Sequence, residues 1–283
     1  MILVTGATGK VGSAAVRELR RRGLPVRALV RDPQRARPLA QLGADLAVGD
    51  FGDPATLAAA TAGVDTVVLI GPGGPPEQEL AVVEAAARAG VGHVVKLTSK
   101  ASPDSPVARQ RWHAEVERGL AASGLPHTLL RANAYMQNTL MLAPAIARTG
   151  GFASSVGDGR MGLVDARDVA GVAAAVAADP AAHAGRTYRL TGPELITYAD
   201  VAAILSEVLG RPMEFRPSSR EQDEADMVRA GLPEVVAAMN AQALQLFAAG
   251  DAEWLSPDVT TLLGRPPRSF TEFADDHVAA FAT

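Results

Sequence analysis

No cysteine occurs among the 283 residues, which excludes disulfides, thiolate nucleophiles and cysteine-ligated metal centres. Lysine is scarce as well: Lys10, Lys96 and Lys100 are the whole supply, and arginine carries the rest of the positive charge. The net charge is -4 and no basic run exceeds Arg20-Arg21-Arg22, so nucleic acid is not an expected partner. No apolar run approaches the length of a membrane span, and a strand-like run beginning at Ile2 gives no expectation of a secretory leader. A soluble, cytoplasmic protein that does not engage membranes is expected. His93, His127, His183 and His277 show no metal-ligand spacing and read as structural, so no metal is expected. The length suits one large domain or two intimate ones, burying about three quarters of the unfolded surface, and leaves a homodimer open.

What the chain does have begins at its first dozen residues, M-I-L-V-T-G-A-T-G-K-V-G. Ile2, Leu3 and Val4 form a short apolar run, and Gly6, Gly9 and Gly12 follow before an Ala-rich helical pattern from Ser13 to Arg22. Strand, glycine turn and helix in that order read as a dinucleotide site; the competing reading is a glycine turn that binds nothing. The glycines let backbone approach a pyrophosphate, while the free amides and positive dipole end of the helix hold its charge. Gly6, Ala7, Thr8, Gly9, Lys10, Val11 and Gly12 are therefore candidate cofactor ligands. A phosphate-binding loop of the ATPase type is excluded, because Lys10 follows Gly9 with the wrong upstream spacing and Val11 stands behind it.

Strands at Val26 to Val30, Leu46 to Val48, Thr66 to Ile70, His93 to Thr98 and His127 to Arg131 alternate with helices. The helices run from Gln34 to Leu42, Pro54 to Thr61, Glu77 to Ala89 and Val107 to Ala122. The expected fold is α/β, a doubly wound parallel Rossmann sheet with a smaller, interleaved C-terminal substrate domain. Residues 1–150 form the NADP-binding part and 151–283 a mainly helical covering part, with a strand near 186–190 rejoining the main sheet. Asp165 and Asp168 read as an N-cap and a first-turn acid of a helix ending at Ala178, rather than as catalysts, and Thr197 with Asp200 repeats the arrangement before Gly210.

Arg31 ends the second strand about 20 residues beyond the glycine turn, where an arginine accommodates the NADP 2'-phosphate. The competing reading is a surface arginine, and Asp32 beside it restores some affinity for NAD. NADP(H) is the expected cofactor, with Lys10 or Arg35 adding charge. Thr98 and Ser99 end the fifth strand, within reach of a nicotinamide ribose or an acceptor.

T-G-A-T-G-K-V-G, the Val30-Arg31-Asp32-Pro33 turn, Gly49-Asp50, L-L-R-A-N-A-Y-M-Q-N from Leu129 to Asn138 and G-D-G-R at Gly157 to Arg160 together resemble the NmrA-like atypical short-chain dehydrogenases. Within that family the sequence most resembles the branch of type 2 quinone oxidoreductases and triphenylmethane reductases. The resemblance implies that Asp50 lies near the adenine amine with Phe51 alongside the ring, although a turn-forming Asp is the plainer reading. It implies that Ile70 and Gly71 pass the nicotinamide, where the glycines of this segment serve close backbone approach or a mobile loop. Asn133 would reach the carboxamide, and Tyr135 and Met136 would line the acceptor pocket.

The Tyr-x-x-x-Lys dyad of typical short-chain dehydrogenases is missing: the residues four after Tyr135, Tyr188 and Tyr198 are Thr139, Gly192 and Ala202. The resemblance sets Arg109 at the tyrosine position and His113 at the lysine position. Reducing an isolated ketone builds a basic alkoxide that needs a positioned acid, whereas a quinone or cationic dye yields a weakly basic phenolate or a neutral product. The expected activity is therefore NADPH-dependent hydride transfer to a quinone-like or other conjugated small-molecule acceptor. A non-catalytic NADP(H)-sensing regulator is the alternative, and a nucleotide-sugar epimerase a more distant one. His113 is the candidate catalytic residue, contacting ribose or relaying a proton; the competing reading is a half-exposed surface histidine.

Overall fold

In this computed structural model, which describes residues 1–282, the chain alternates strand and helix for its first half. The order is β1 (Ile2–Val4), α1 (Lys10–Arg21), β2 (Val26–Val30), α2 (Arg37–Gln41), β3 (Asp45–Val48), α3 (Pro54–Thr61), β4 (Thr66–Leu69), α4 (Pro76–Arg88), β5 (His93–Thr98), α5 (Ala108–Ala122) and β6 (His127–Ala132). The second half is less regular. A 3-10 segment (Met136–Leu142) leads to α6 (Ala143–Thr149), β7 (Gly151–Ser154), α7 (Ala166–Ala178), β8 (Thr187–Leu190), α8 (Tyr198–Leu209) and β9 (Glu214–Pro217). Helices α9 (Arg220–Arg229), α10 (Glu234–Ala248), α11 (Asp258–Leu263), α12 (Phe270–Asp276) and α13 (Val278–Ala282) close the chain.

Seven strands form one parallel sheet in the order β3-β2-β1-β4-β5-β6-β8, and β7 and β9 form a separate parallel pair. Ile2, Leu3 and Val4 lie near the middle of the large sheet and are buried, as parallel strands covered on both faces require. The chain winds outward from β1 to β3 on one side, then restarts at β4 on the other. That reversal opens a crevice at the carboxyl ends of β1 and β4, where ligands of doubly wound sheets bind.

Two cores result. In the first, Ala15, Val16 and Leu19 of α1 pack with Val169, Ala170, Val172, Ala173 and Val176 of α7 beneath the sheet. Thus α7, expected in the smaller region, is part of the main layer: its residues are small and apolar nearly all round, so it is buried on most faces. The second core gathers Phe152, Tyr198, Phe270, Phe273 and Phe281 around α8, and the Phe152 and Tyr198 rings meet edge to face at 5.6 Å. Asp165 caps α7 by accepting from the Arg167 amide, and Thr197 with Asp200 forms a reciprocal capping box on α8.

Two helix starts differ from the sequence reading by three residues, and two strands are additional. α1 starts at Lys10 rather than Ser13, because the extended Gly9 is already its N-cap. α2 starts at Arg37 rather than Gln34, because Asp32 Oδ1 accepts the Gln34 amide at 2.8 Å and holds that segment in a turn. β7 and β9 were not anticipated; G-F-A-S and E-F-R-P are too short to show alternation, and their pairing is created by tertiary packing.

Candidate functional site

The cleft starts at the glycine turn. Gly6 adopts φ +57°, and a Cβ there would lie 2.8 Å from the Ile70 carbonyl oxygen. The Gly9 amide closes the turn onto Gly6 O at 2.9 Å. A Cβ on Gly12 would stand 2.2 Å from Gly6 O, so Gly12 allows helix and turn to touch. A Cβ on Gly9 meets only Gly6 O, at 3.2 Å, and otherwise faces open cleft. The first turn of α1 has neither a side-chain cap nor an acid, so its amides and positive dipole end remain available to an anion. Thr5, at the foot of the turn, donates its hydroxyl to Ile70 O and accepts the Ile70 amide, both at 2.9 Å, locking the ends of β1 and β4 together.

At one end of the cleft Arg31 is exposed immediately after β2 and has no carboxylate partner among the described residues. Asp50 and Phe51 follow β3 on the same side. Asp50 Oδ1 accepts the Gly52 amide at 2.8 Å, so the residue shapes its turn as well as lining the cleft. Lys10 does not join Arg31. Its ammonium donates to Gln137 O at 3.2 Å, toward β6 and away from β2, and burial lowers its pKa.

Deeper in, Ile70 and Gly71 flank a buried ion pair between Glu79 of α4 and Lys96 of β5. A Cβ on Gly71 would fall 1.8 Å from Glu79 Oε1, so this glycine makes room for the carboxylate. Lys96 also donates to Leu97 O at 2.6 Å, while desolvation lowers its pKa. Thr98 lines the cleft but donates its hydroxyl to Glu117 Oε1 at 3.0 Å; Glu117 in turn pairs with Arg131. The Thr98 proton is thereby committed to the interior instead of to a ribose or acceptor. Ser99 lines the cleft with no side-chain hydrogen bond among the described residues.

The opposite wall combines α5, the segment after β6 and α10. His113 is half-buried in this wall and lines the cleft. Burial first, then the charges of Lys96 and Arg109, push its pKa down to about 3, so the imidazole is neutral at physiological pH. Its Nδ1 is buried without a hydrogen-bond partner among the described residues. Tyr135 also lines the cleft, and burial pushes its phenol pKa up. Met136 does not line the acceptor pocket: it is 1% exposed and packs in the second core, since the chain turns into the 3-10 segment there and directs it inward. Asn133 borders the cleft, but its Nδ2 donates to Ala252 O at 3.0 Å and its Oδ1 accepts the Ala134 amide at 2.7 Å. It anchors the segment after α10, leaving no donor shown toward a carboxamide.

That segment closes the cleft. Asp251 pairs with Lys100 and accepts from Gln110 Nε2 at 3.0 Å, while Trp254 stands beside it with Asn240 and Phe247 of α10. Asn240, Phe247, Asp251 and Trp254 carry no motif spacing in the sequence; on α5, Arg109 and His113 had a positional signal, from the places of the missing tyrosine and lysine. The whole cavity is about 1290 Å³, larger than the range of about 300–1,000 Å³ common for one small ligand and so suited to a dinucleotide plus an acceptor. Among the described residues no helix is long and apolar enough to cross a membrane, and no cluster of His, Asp or Glu is placed to hold a metal.

The model of the NmrA-like family matches residues 1–274. An NAD(P)H azoreductase of Xenophilus azovorans is 41% identical over 288 residues, covering 99% of both chains. Among solved structures, an NADPH-dependent quinone oxidoreductase from Escherichia coli complexed with NADPH has a TM-score of 0.89 and 31% identity, covering 99% of this chain and 100% of that one. A Citrobacter sp. triphenylmethane reductase complexed with NADP(H) has a TM-score of 0.87 and 29% identity, covering 97% and 100%.

Proposed function

This chain belongs to the NmrA-like family, and from that membership and the cleft's chemistry we infer that it is an NADPH-dependent oxidoreductase of conjugated small-molecule acceptors, quinone-like ones foremost. The glycine turn fits the cofactor: an uncapped helix N-terminus faces open space at Gly9, and an unpaired Arg31 stands at the end of β2. The first-turn residues of α1 hold the pyrophosphate, Arg31 the 2'-phosphate, Asp50 and Phe51 the adenine, and Ile70 and Gly71 the nicotinamide side. NADPH, when bound, supplies the hydride.

The remaining work belongs to the walls. The observation that carries the choice of acceptor is the absence from the cleft of an acid activated as in the Tyr-x-x-x-Lys dyad. His113 is held neutral, burial raises the pKa of the Tyr135 phenol with Thr139 rather than a lysine four residues on, and the Thr98 hydroxyl donates its hydrogen bond to Glu117. An acceptor reduced here must tolerate hydride arrival without concerted protonation, which conjugated acceptors do and isolated ketones do not. Trp254, Phe247 and Tyr135 line the cleft and offer aromatic surface to a flat acceptor, so rate enhancement comes chiefly from proximity. A cytoplasmic setting, where NADPH is regenerated, completes the reading. Its test is anaerobic oxidation of NADPH by menadione and by a simple ketone. Rapid quinone reduction with negligible ketone reduction is expected, and preferential ketone reduction would refute the assignment.

A further inference from the structure

Most cations in the cleft have an evident occupation. Lys96, Lys100 and Arg229 pair with Glu79, Asp251 and Asp226, Lys10 and Arg31 belong to the glycine-turn end, and Arg148 is exposed at the rim. Arg109 is different. It is half-buried in the first turn of α5, its Nη1 donates to the neutral Asn240 Oδ1 at 3.1 Å, and no carboxylate among the described residues pairs with it. That turn contains no acid, so the helix dipole adds to the positive potential there. Desolvation lowers the guanidinium pKa, and His113, one turn further along α5, contributes no negative charge. Arg109 lines the cleft, and a desolvated cation with unused donors beside a ligand cavity is costly unless an anion arrives.

We propose that Arg109 is a catalytic residue whose guanidinium receives the acceptor oxygen on which negative charge accumulates during hydride transfer. The proposal rests on the quinone-reductase reading above. As the nicotinamide C4–H bond breaks, the hydrogen with its electron pair forms an O–H bond at one quinone carbonyl oxygen. A π electron pair of the conjugated system settles on the other carbonyl oxygen, giving a hydroquinone monoanion, which then takes a proton from water. Arginine retains its own proton and stabilises that oxygen by charge and hydrogen bonding.

Three acceptors distinguish this role from a structural one. Arg109→Gln should lower kcat for menadione about 100-fold with NADPH affinity unchanged, and Arg109→Lys should recover part of the loss. A cationic triphenylmethane dye gives a neutral hydride adduct with no oxyanion, so Arg109→Gln should leave its reduction within a few-fold of wild type or raise it. Without turnover, the NADP⁺ complex should bind lawsone, a hydroxynaphthoquinone that is anionic at neutral pH, at least about 10-fold more weakly in Arg109→Gln, while menadione affinity changes little. Equal losses for quinone and dye, or unchanged lawsone affinity, would overturn the proposal. If wild type reduced no quinone, the function would be wrong, yet lawsone binding would still decide whether Arg109 is an anion site.

Discussion

Replacing either of two glycines only three residues apart should have opposite consequences. In Gly9→Val the added Cβ approaches only Gly6 O, at 3.2 Å, a contact relieved by a shift of a few tenths of an ångström, and the two methyl groups project into the cleft. The folded state is retained, but the first-turn amides of α1 lose their access to a pyrophosphate. Each charge-assisted hydrogen bond lost costs about 1.5–3 kcal/mol, so displacement from two of them weakens NADPH by roughly 10²–10⁴-fold. Gly12→Ala instead puts a Cβ 2.2 Å from Gly6 O and 2.8 Å from Gly6 C, both backbone atoms of the glycine turn. It should destabilise the protein by about 1–3 kcal/mol or more, and weaken the cofactor only as a consequence. Calorimetric titration with NADPH, alongside thermal unfolding without it, separates the two. A folded Gly9→Val protein that binds NADPH within about threefold of wild type would refute the placement of the pyrophosphate.

Arg31→Asp should weaken NADPH by roughly 10–100-fold or more while leaving NADH within a few-fold, because only the 2'-phosphate loses its charge-assisted contacts; parallel fluorescence titrations show whether the loss is selective. Lys96→Met should cost about 3–5 kcal/mol of unfolding free energy, since Glu79, 3% exposed, is left buried without its partner, and adding Glu79→Gln should restore much of it in denaturant titrations. His113, depressed from 6.5 to about 3 in the fold, contributes stability that is fully present above pH 6.5. That contribution is lost as pH falls toward 3, with a slope approaching about 1.4 kcal/mol per pH unit, and His113→Gln should flatten this dependence. The same neutral imidazole predicts no histidine limb in kcat for quinones between pH 6 and 9, and only a modest loss in His113→Ala, below the roughly 100-fold expected for an essential acid.

The main sheet was legible because its strands are short apolar runs punctuated by Gly and Pro, and because the glycine turn states both where β1 ends and what its helix faces. Residues placed by those strand ends, Arg31, Asp50, Ile70 and Ser99, all reach the cleft. Legibility failed where a side chain's direction depends on a partner distant in sequence. Thr98 sits where expected, yet Glu117, nineteen residues later, takes its hydroxyl. Met136 points into a core assembled from α6, α8 and α12, which no local pattern reveals. Asn133 is captured by carbonyls at 252 and 254, and the far wall from Asn240 to Trp254 is brought in by packing alone. The absent Tyr-x-x-x-Lys was the most informative sequence feature, and the depressed pKa of His113 extends it: the position lacks an acid as well as the dyad.

Single-turnover reduction of menadione, using NADPH deuterated at the transferred position and followed across pH, tests hydride transfer without a protein acid most directly. Stoichiometric menadiol, a primary isotope effect on the transfer step and a rate indifferent to pH between 6 and 9 are predicted. A protein that binds NADPH but transfers no hydride, or whose transfer rate follows a histidine ionisation abolished in His113→Ala, would contradict it.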